Sequence, residues 1–328
     1  MTERIVHGGT GSGDATQRRR RRTGRGEVSM VPEATPTSYY DHPVIKRPVW
    51  RPEIAAYLFT GGLAGGSAML ARAARAQGND VLARRSLWIG FAAITASPAL
   101  LIKDLGVPGR FYNMLRVVKV TSPMNVGTWI LSAAGTATGV AAACDLTGWF
   151  PRLQRAAESG AALLGPPLST YTAVLVADTA VPVWHEAYTE LPFVFAASAM
   201  ASAGAAAVMV TDTSHAGLAR SVALGGVLAE LGAAQVMEKR LGELGEPYHR
   251  GQAGKATRAA RVLGLAGAAL LAVGGRRRRV AALGGAAVLA ASFCERWAVY
   301  SAGTASAESP HYTVQPQRRR LEERRARG

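Results

Sequence analysis

Eight apolar runs, each about 18–24 residues long, leave this chain few ways to fold. They are rich in Ala, Gly, Leu and Val, and most carry one charge or none. A soluble helical protein of similar composition would place charges along one face of every helix. These runs lack such a face, and each is long enough to cross a bilayer core. The predicted fold class is an all-α integral membrane protein with eight transmembrane helices. The spans are expected at 53–71, 82–102, 128–143 (extending toward 150), 161–184, 191–210, 218–236, 257–274 and 280–300. They make a membrane domain over 49–300, preceded by a disordered basic tail at 1–48 and followed by a basic tail at 301–328.

The net charge of +16 comes largely from arginine runs at 18–22, 276–279 and 318–320. No aromatic-studded basic fold accompanies them, so nucleic acid is not the expected partner. Anionic lipid headgroups are. The first run is not read as a twin-arginine export signal, because no apolar stretch follows it. Met30 is a second candidate start. An even number of spans puts both termini on one side. The basic tails tilt that side toward the interior, but Lys and Arg beside the spans are nearly balanced.

The two cysteines, Cys144 and Cys294, lie apart in apolar runs and make neither a disulfide framework nor an iron–sulfur site. Haem anchors of the cytochrome b type need paired histidines within spans. His7, His42, His185, His215, His249 and His311 are all outside the middle of a span. No Cys/His cluster offers another metal site, so the chain is expected to carry no metal, haem or iron–sulfur cluster of its own.

Between the second and third runs lies LIKDLGVPGRFYNMLRVVKVTSPMNVGTW, residues 101–129, too polar for lipid. Gly106, Pro108, Gly109 and Pro123 predict a shaped loop rather than a continued helix. Its pattern of Asp-Leu-Gly-x-Pro-x-Arg-Phe-Tyr-Asn-Met-Leu-Arg, then Thr-Ser-Pro-Met and Gly-x-Trp, resembles the polysulfide reductase NrfD/PsrC family. The first span, Glu-Ile-x-x-Tyr-Leu-Phe-x-Gly-Gly-Leu-Ala-x-Gly, resembles the opening of the same subunits. Its pairs Gly61/Gly65 and Gly62/Gly66 have the small-xxx-small spacing that lets helices approach closely in lipid.

The resemblance implies two four-helix bundles and a non-catalytic, quinone-reactive membrane anchor of a molybdopterin oxidoreductase complex. Such an anchor passes electrons between the quinone pool and an iron–sulfur subunit, which serves a molybdopterin catalytic subunit. Menaquinone or ubiquinone would be an exchangeable substrate. The stretch 297–321 resembles actinobacterial members found with formate dehydrogenase-like partners.

The resemblance also implies site residues. Tyr57, near the mouth of the first span, matches a family position at the quinone headgroup. Tyr171, thirteen residues before the Trp of a Pro-x-Trp, matches a tyrosine that hydrogen-bonds the quinone carbonyl. A phenol suits that task, since it donates to a carbonyl while its ring packs against the quinone. Ordinary helix packing is the other reading of Tyr171. Glu53 shares a face with Tyr57 and either handles protons at the mouth or caps the helix. Asp178 is expected mid-helix on the Tyr171 face, as a proton carrier or as the partner in a salt bridge or helix–helix hydrogen bond. Asp104 and Arg110 are expected to pair with each other or with groups of the quinone site, or to serve the loop alone. The rival reading, an eight-helix secondary transporter, predicts Gly/Pro-broken helices at matching places in two halves. Pro98 and Gly225–Gly226 are its only hints.

Overall fold

The structure is a computed structural model that describes residues 43–314 except 106, 108, 275 and 276, together with 316, 322 and 325. Most of the expected disordered N-terminal tail, residues 1–42, lies outside the described residues, as do 315, 317–321, 323–324 and 326–328 of the basic C-terminal tail. Among the described residues, eight helices are long and apolar enough to cross a membrane, as expected from the runs. In chain order the elements are α1 (Glu53–Ala76), α2 (Asp80–Leu105), the short α3 (Arg110–Arg116), α4 (Pro123–Thr147), α5 (Pro151–Ala177), the short α6 (Pro182–Glu186), α7 (Leu191–Val210), α8 (Gly217–Leu241), a 3₁₀ segment (Gly242–His249), α9 (Gly251–Gly274) and α10 (Arg278–Glu308).

Local chemistry sets most boundaries. Asn79 caps α2, its Oδ1 accepting the Leu82 N–H at 3.1 Å. Pro123 and Pro151 stand in the first turns of α4 and α5, where a missing N–H costs nothing. Gly148 ends α4 in the left-handed region with φ 70°, and its N–H returns to Cys144 O at 2.9 Å. The loop before α4 is shaped, as expected, but it contains α3. Asn125 ties it to α4: its amide nitrogen donates to Met114 O and Val117 O at 2.8 and 2.7 Å, and its oxygen accepts the Lys119 N–H at 2.7 Å.

The fourth span differs most from expectation. It begins ten residues earlier than 161 and ends at Ala177 rather than 184. Residues 151–160, which lie outside the expected span, are polar, with Arg152, Gln154, Arg155 and Glu158. The fold pairs the buried one: Arg75 of α1 grips Glu158 through two bonds of 2.5 and 3.0 Å, and Gln154 donates to it at 3.2 Å. At the far end of the chain, α10 runs two turns beyond the expected boundary at 300, to Glu308.

Two four-helix bundles result, one from α1, α2, α4 and α5 and the other from α7, α8, α9 and α10. Helix α1 belongs to the first and also packs on α7 and α10 of the second. Its glycines make that possible. A Cβ on Gly65 would stand 2.6 Å from Gly165 O of α5, and one on Gly66 would overlap the Ala199 backbone of α7. Between helices in lipid, van der Waals packing replaces the hydrophobic drive, so such close approach is what holds them. Large aliphatic side chains such as Leu163 and Val273 point outward and stay exposed. The two ends of the chain's membrane domain meet: Arg47 pairs with Glu308 at 3.1 Å, and the Tyr300 hydroxyl donates to Trp50 O at 2.8 Å.

Candidate functional site

A narrow apolar cleft, with a cavity volume of about 30 Å³, opens in the first bundle at the end where α1 begins. Trp50, Ile54, Tyr57, Asp104, Met124, Thr128, Tyr171 and Val176 are among the residues lining it. Its geometry follows from the helix packing. Close approach of α1 and α5 at Gly65 and Gly165 brings Tyr57 and Tyr171 together, and their hydroxyls are hydrogen-bonded to each other. Both rings are buried. The Tyr171 ring lies so close to α4 that a Cβ on Gly127 would overlap it. Gly127 is the glycine of the Gly-x-Trp motif, and ring clearance is the physical reason for it.

The cleft rim is polar. The Asp104 carboxylate accepts the Arg51 N–H at 2.8 Å, and Glu53 pairs with Lys103 at 2.8 Å. Trp50 stacks on Trp184 of α6 with ring centroids 5.3 Å apart, and the Trp184 indole donates to Val299 O at 2.7 Å. The segment leading into α1 is therefore held by both bundles.

Of the six residues expected at the site, Tyr57, Tyr171 and Asp104 line the cleft. Glu53 stands one turn before Tyr57, beside the rim. Two expectations require correction. Asp178 is not mid-helix: it caps the C-terminus of α5 and is exposed, because the helix starts and stops earlier than its hydrophobicity suggested. Arg110 does not pair with Asp104: it opens α3, exposed, while the carboxylate is taken by a backbone N–H. Trp50, Met124 and Thr128 line the cleft and were missed, since nothing local distinguishes a lining residue from a packed one. Glu295 and Arg296 were missed as well. They are buried in α10, and their signal was legible as two charges inside an apolar run. Among the described residues no three His, Cys, Asp or Glu side chains are grouped to hold a metal ion.

A family model described as polysulphide reductase, NrfD, matches residues 43–244. The chain belongs to the polysulphide reductase NrfD family. NrfD proteins are membrane subunits of polysulphide and molybdoenzyme reductase complexes and associate with iron–sulfur and molybdopterin catalytic subunits. The NrfD match spans the whole first bundle with its cleft, then α7 and α8, and stops before α9 and α10. No curated protein matches the chain.

Proposed function

We propose that this chain is the quinone-binding anchor of a molybdopterin oxidoreductase complex, exchanging electrons between the quinone pool and an iron–sulfur partner. The observation that supports it most is the Tyr57–Tyr171 hydroxyl pair inside an apolar cleft. When two phenols share one hydrogen bond, one O–H is used up between them and the other remains to be donated. A quinone carbonyl in the cleft is the acceptor that fits, with the ring among Ile54, Met124 and Val176. The quinone supplies the redox chemistry. This chain's residues bind the headgroup, orient a carbonyl toward the free phenol proton and move protons at the rim.

Reducing a quinone consumes two protons with its two electrons, so the site needs a protonic connection to water. Asp104 lies in the cleft wall, and Glu53 stands beside it at the rim. These two are the proposed proton carriers. Asp178, exposed at the end of α5 and outside the cleft lining, is not among them. Haem and iron–sulfur clusters belong to the partner subunits in this reading, and the partner's catalytic subunit is of the formate dehydrogenase-like kind. A transporter role is not favoured by the family. The test is purification of the intact complex from the native membrane. Retained quinone and a co-purifying iron–sulfur subunit are expected, with menaquinone or ubiquinone identified by extraction. A chain that isolates alone, binds no quinone and changes no quinone-linked rate when Tyr171 becomes Phe would sink the reading.

A further inference from the structure

The second bundle buries ionisable groups that the cleft does not use. Glu230 of α8 and Glu295 and Arg296 of α10 are 7%, 6% and 1% exposed. The two carboxyls and the guanidinium lie within electrostatic reach of one another. Arg296 stands between the bundles. Its Nη2 donates to Phe195 O at 2.8 Å, its guanidinium carbon lies 3.6 Å from the centre of the Phe195 ring, and a Cβ on Gly62 of α1 would come within 3.4 Å of it. Glu295 and Arg296 fall outside the segment that the family model matches.

Two features set this cluster apart from a structural ion pair. The first is its charge. Two carboxylates and one guanidinium sum to −1, and a net charge buried among membrane helices is costly. Two further charges, Glu238 and Arg261, face Glu295, and they offset each other. Glu238 of α8 is taken by Arg261 of α9, and it faces His249 at 3.5 Å. What α1 and α7 present, Gly62, Phe195 and Ser198, does not ionise. The second feature is unmet hydrogen bonding. Glu230 Oε1, Arg296 Nε and Nη1, and the Tyr248 hydroxyl are buried with no hydrogen-bond partner among the described residues. Buried polar atoms in such numbers are satisfied by bound water.

Polar and titratable groups also lead from the cluster toward the surface. Tyr248 is 1% exposed and lies within reach of both Glu295 and Glu238. Beyond it, His249 is more than half exposed. From these observations we infer that Glu230 and Glu295 hold one exchangeable proton between them opposite Arg296, taken up from and returned to the aqueous face near Glu238 and His249 through water beside Tyr248. Uptake turns one carboxylate into a carboxylic acid, which leaves the cluster neutral. The site is separate from the quinone cleft and does not depend on it.

The charge sum makes an unusual test. Infrared spectra of the full chain in lipid nanodiscs, in H2O and in D2O, report protonated carboxyls through a deuterium-sensitive C=O band. The wild type is expected to show one such band from this cluster. Glu230→Gln and Glu295→Gln should each abolish it, because either change leaves one carboxylate neutralised by Arg296. Arg296→Gln should instead roughly double it. No deuterium-sensitive band in the wild type, or the band at full strength in either glutamine variant, overturns the proposal. If the glutamine variants do not assemble, Tyr248→Phe carries the test through exchange kinetics: about tenfold slower loss of the protonated band in D2O is expected, and an unchanged rate overturns the proposal. No quinone is present in either measurement, so failure here is distinct from failure of the cleft assignment.

Discussion

The hydroxyls of Tyr57 and Tyr171 are hydrogen-bonded to each other across 114 residues of chain. One belongs to the first span and the other to the fourth, and neither has a hydroxyl partner closer in sequence. Their meeting is the part of the proposed site from which the other expectations follow.

Tyr171→Phe removes one hydroxyl and leaves the ring that α4 packs against. The fold and the partner complex should survive. Quinone affinity should fall by about threefold to tenfold, the equivalent of losing one neutral hydrogen bond worth about 0.5–1.5 kcal/mol. Electron transfer to an artificial acceptor at the partner should persist. Because Tyr57 and Tyr171 act as a pair, adding Tyr57→Phe should cost less than the sum of the two single changes. Steady-state quinone kinetics on the four proteins of the cycle measure it, and strict additivity would speak against a shared bond.

Gly127→Ala should hurt more than its size suggests. The new methyl would overlap the Tyr171 ring, and overpacking of this kind costs about 1–3 kcal/mol. Gly139 lies on the same helix with open space where a Cβ would go, so Gly139→Ala is the control and should be close to neutral. Thermal unfolding in detergent compares them. Quinone turnover should drop in the first variant alone.

The corrected position of Asp178 reverses an expectation that its sequence context invites. Asp178→Asn should leave quinone turnover and its pH profile unchanged, since the carboxyl is exposed at the end of α5. Asp104→Asn should shift the pH profile, because Asp104 lines the cleft. Rate-versus-pH curves for both variants in the intact complex decide between them.

Outside the spans, Glu190 makes a pH-dependent clamp. Arg240 at the end of α8 holds it, with Nη2 2.6 Å from Oε2, and also donates to Glu186 O. The Arg240 guanidinium draws the Glu190 carboxyl below its ordinary value of 4.5. A lowered folded-state value means the stabilisation is fully present above pH 4.5 and is lost as pH falls through the folded value beneath it. Glu190→Gln should therefore lower stability at neutral pH by about 0.2–1 kcal/mol, and the difference should shrink in strong acid. Unfolding temperature against pH for the two proteins tests the sign.

The Arg47–Glu308 ion pair requires both ends of the membrane domain to lie at one face. Single cysteines placed at 47 and at 308, in a chain lacking Cys144 and Cys294, should react with an impermeant thiol reagent from the same side of a sealed vesicle. Labelling from opposite sides would show that a span has been miscounted.

The eight spans were legible in the sequence because insertion into lipid is a local property, summed over about 20 consecutive side chains. Span 191–210 was read to the residue, since no polar group blurs either end. Tyr57, Tyr171 and the Gly-x-Trp glycine were legible as motif positions, though not as a hydroxyl pair and the backbone gap beside it. What the sequence could not decide is where polar residues find partners. Arg152, Gln154 and Glu158 fall outside the expected span because hydropathy is summed locally, whereas Glu158 is neutralised by Arg75 from another helix. With that pairing α5 runs from Pro151 to Ala177, and Asp178 is left exposed at its C-terminus. Between the readings open for Asp104 and Arg110, helix packing decided: the Asp104 carboxylate accepts the Arg51 N–H, and Arg110 opens α3, exposed. Transfer of apolar surface is decided residue by residue along the chain, while the pairing of charges and hydroxyls is decided between helices, by small residues such as Gly65 and Gly165 that set how closely two backbones approach.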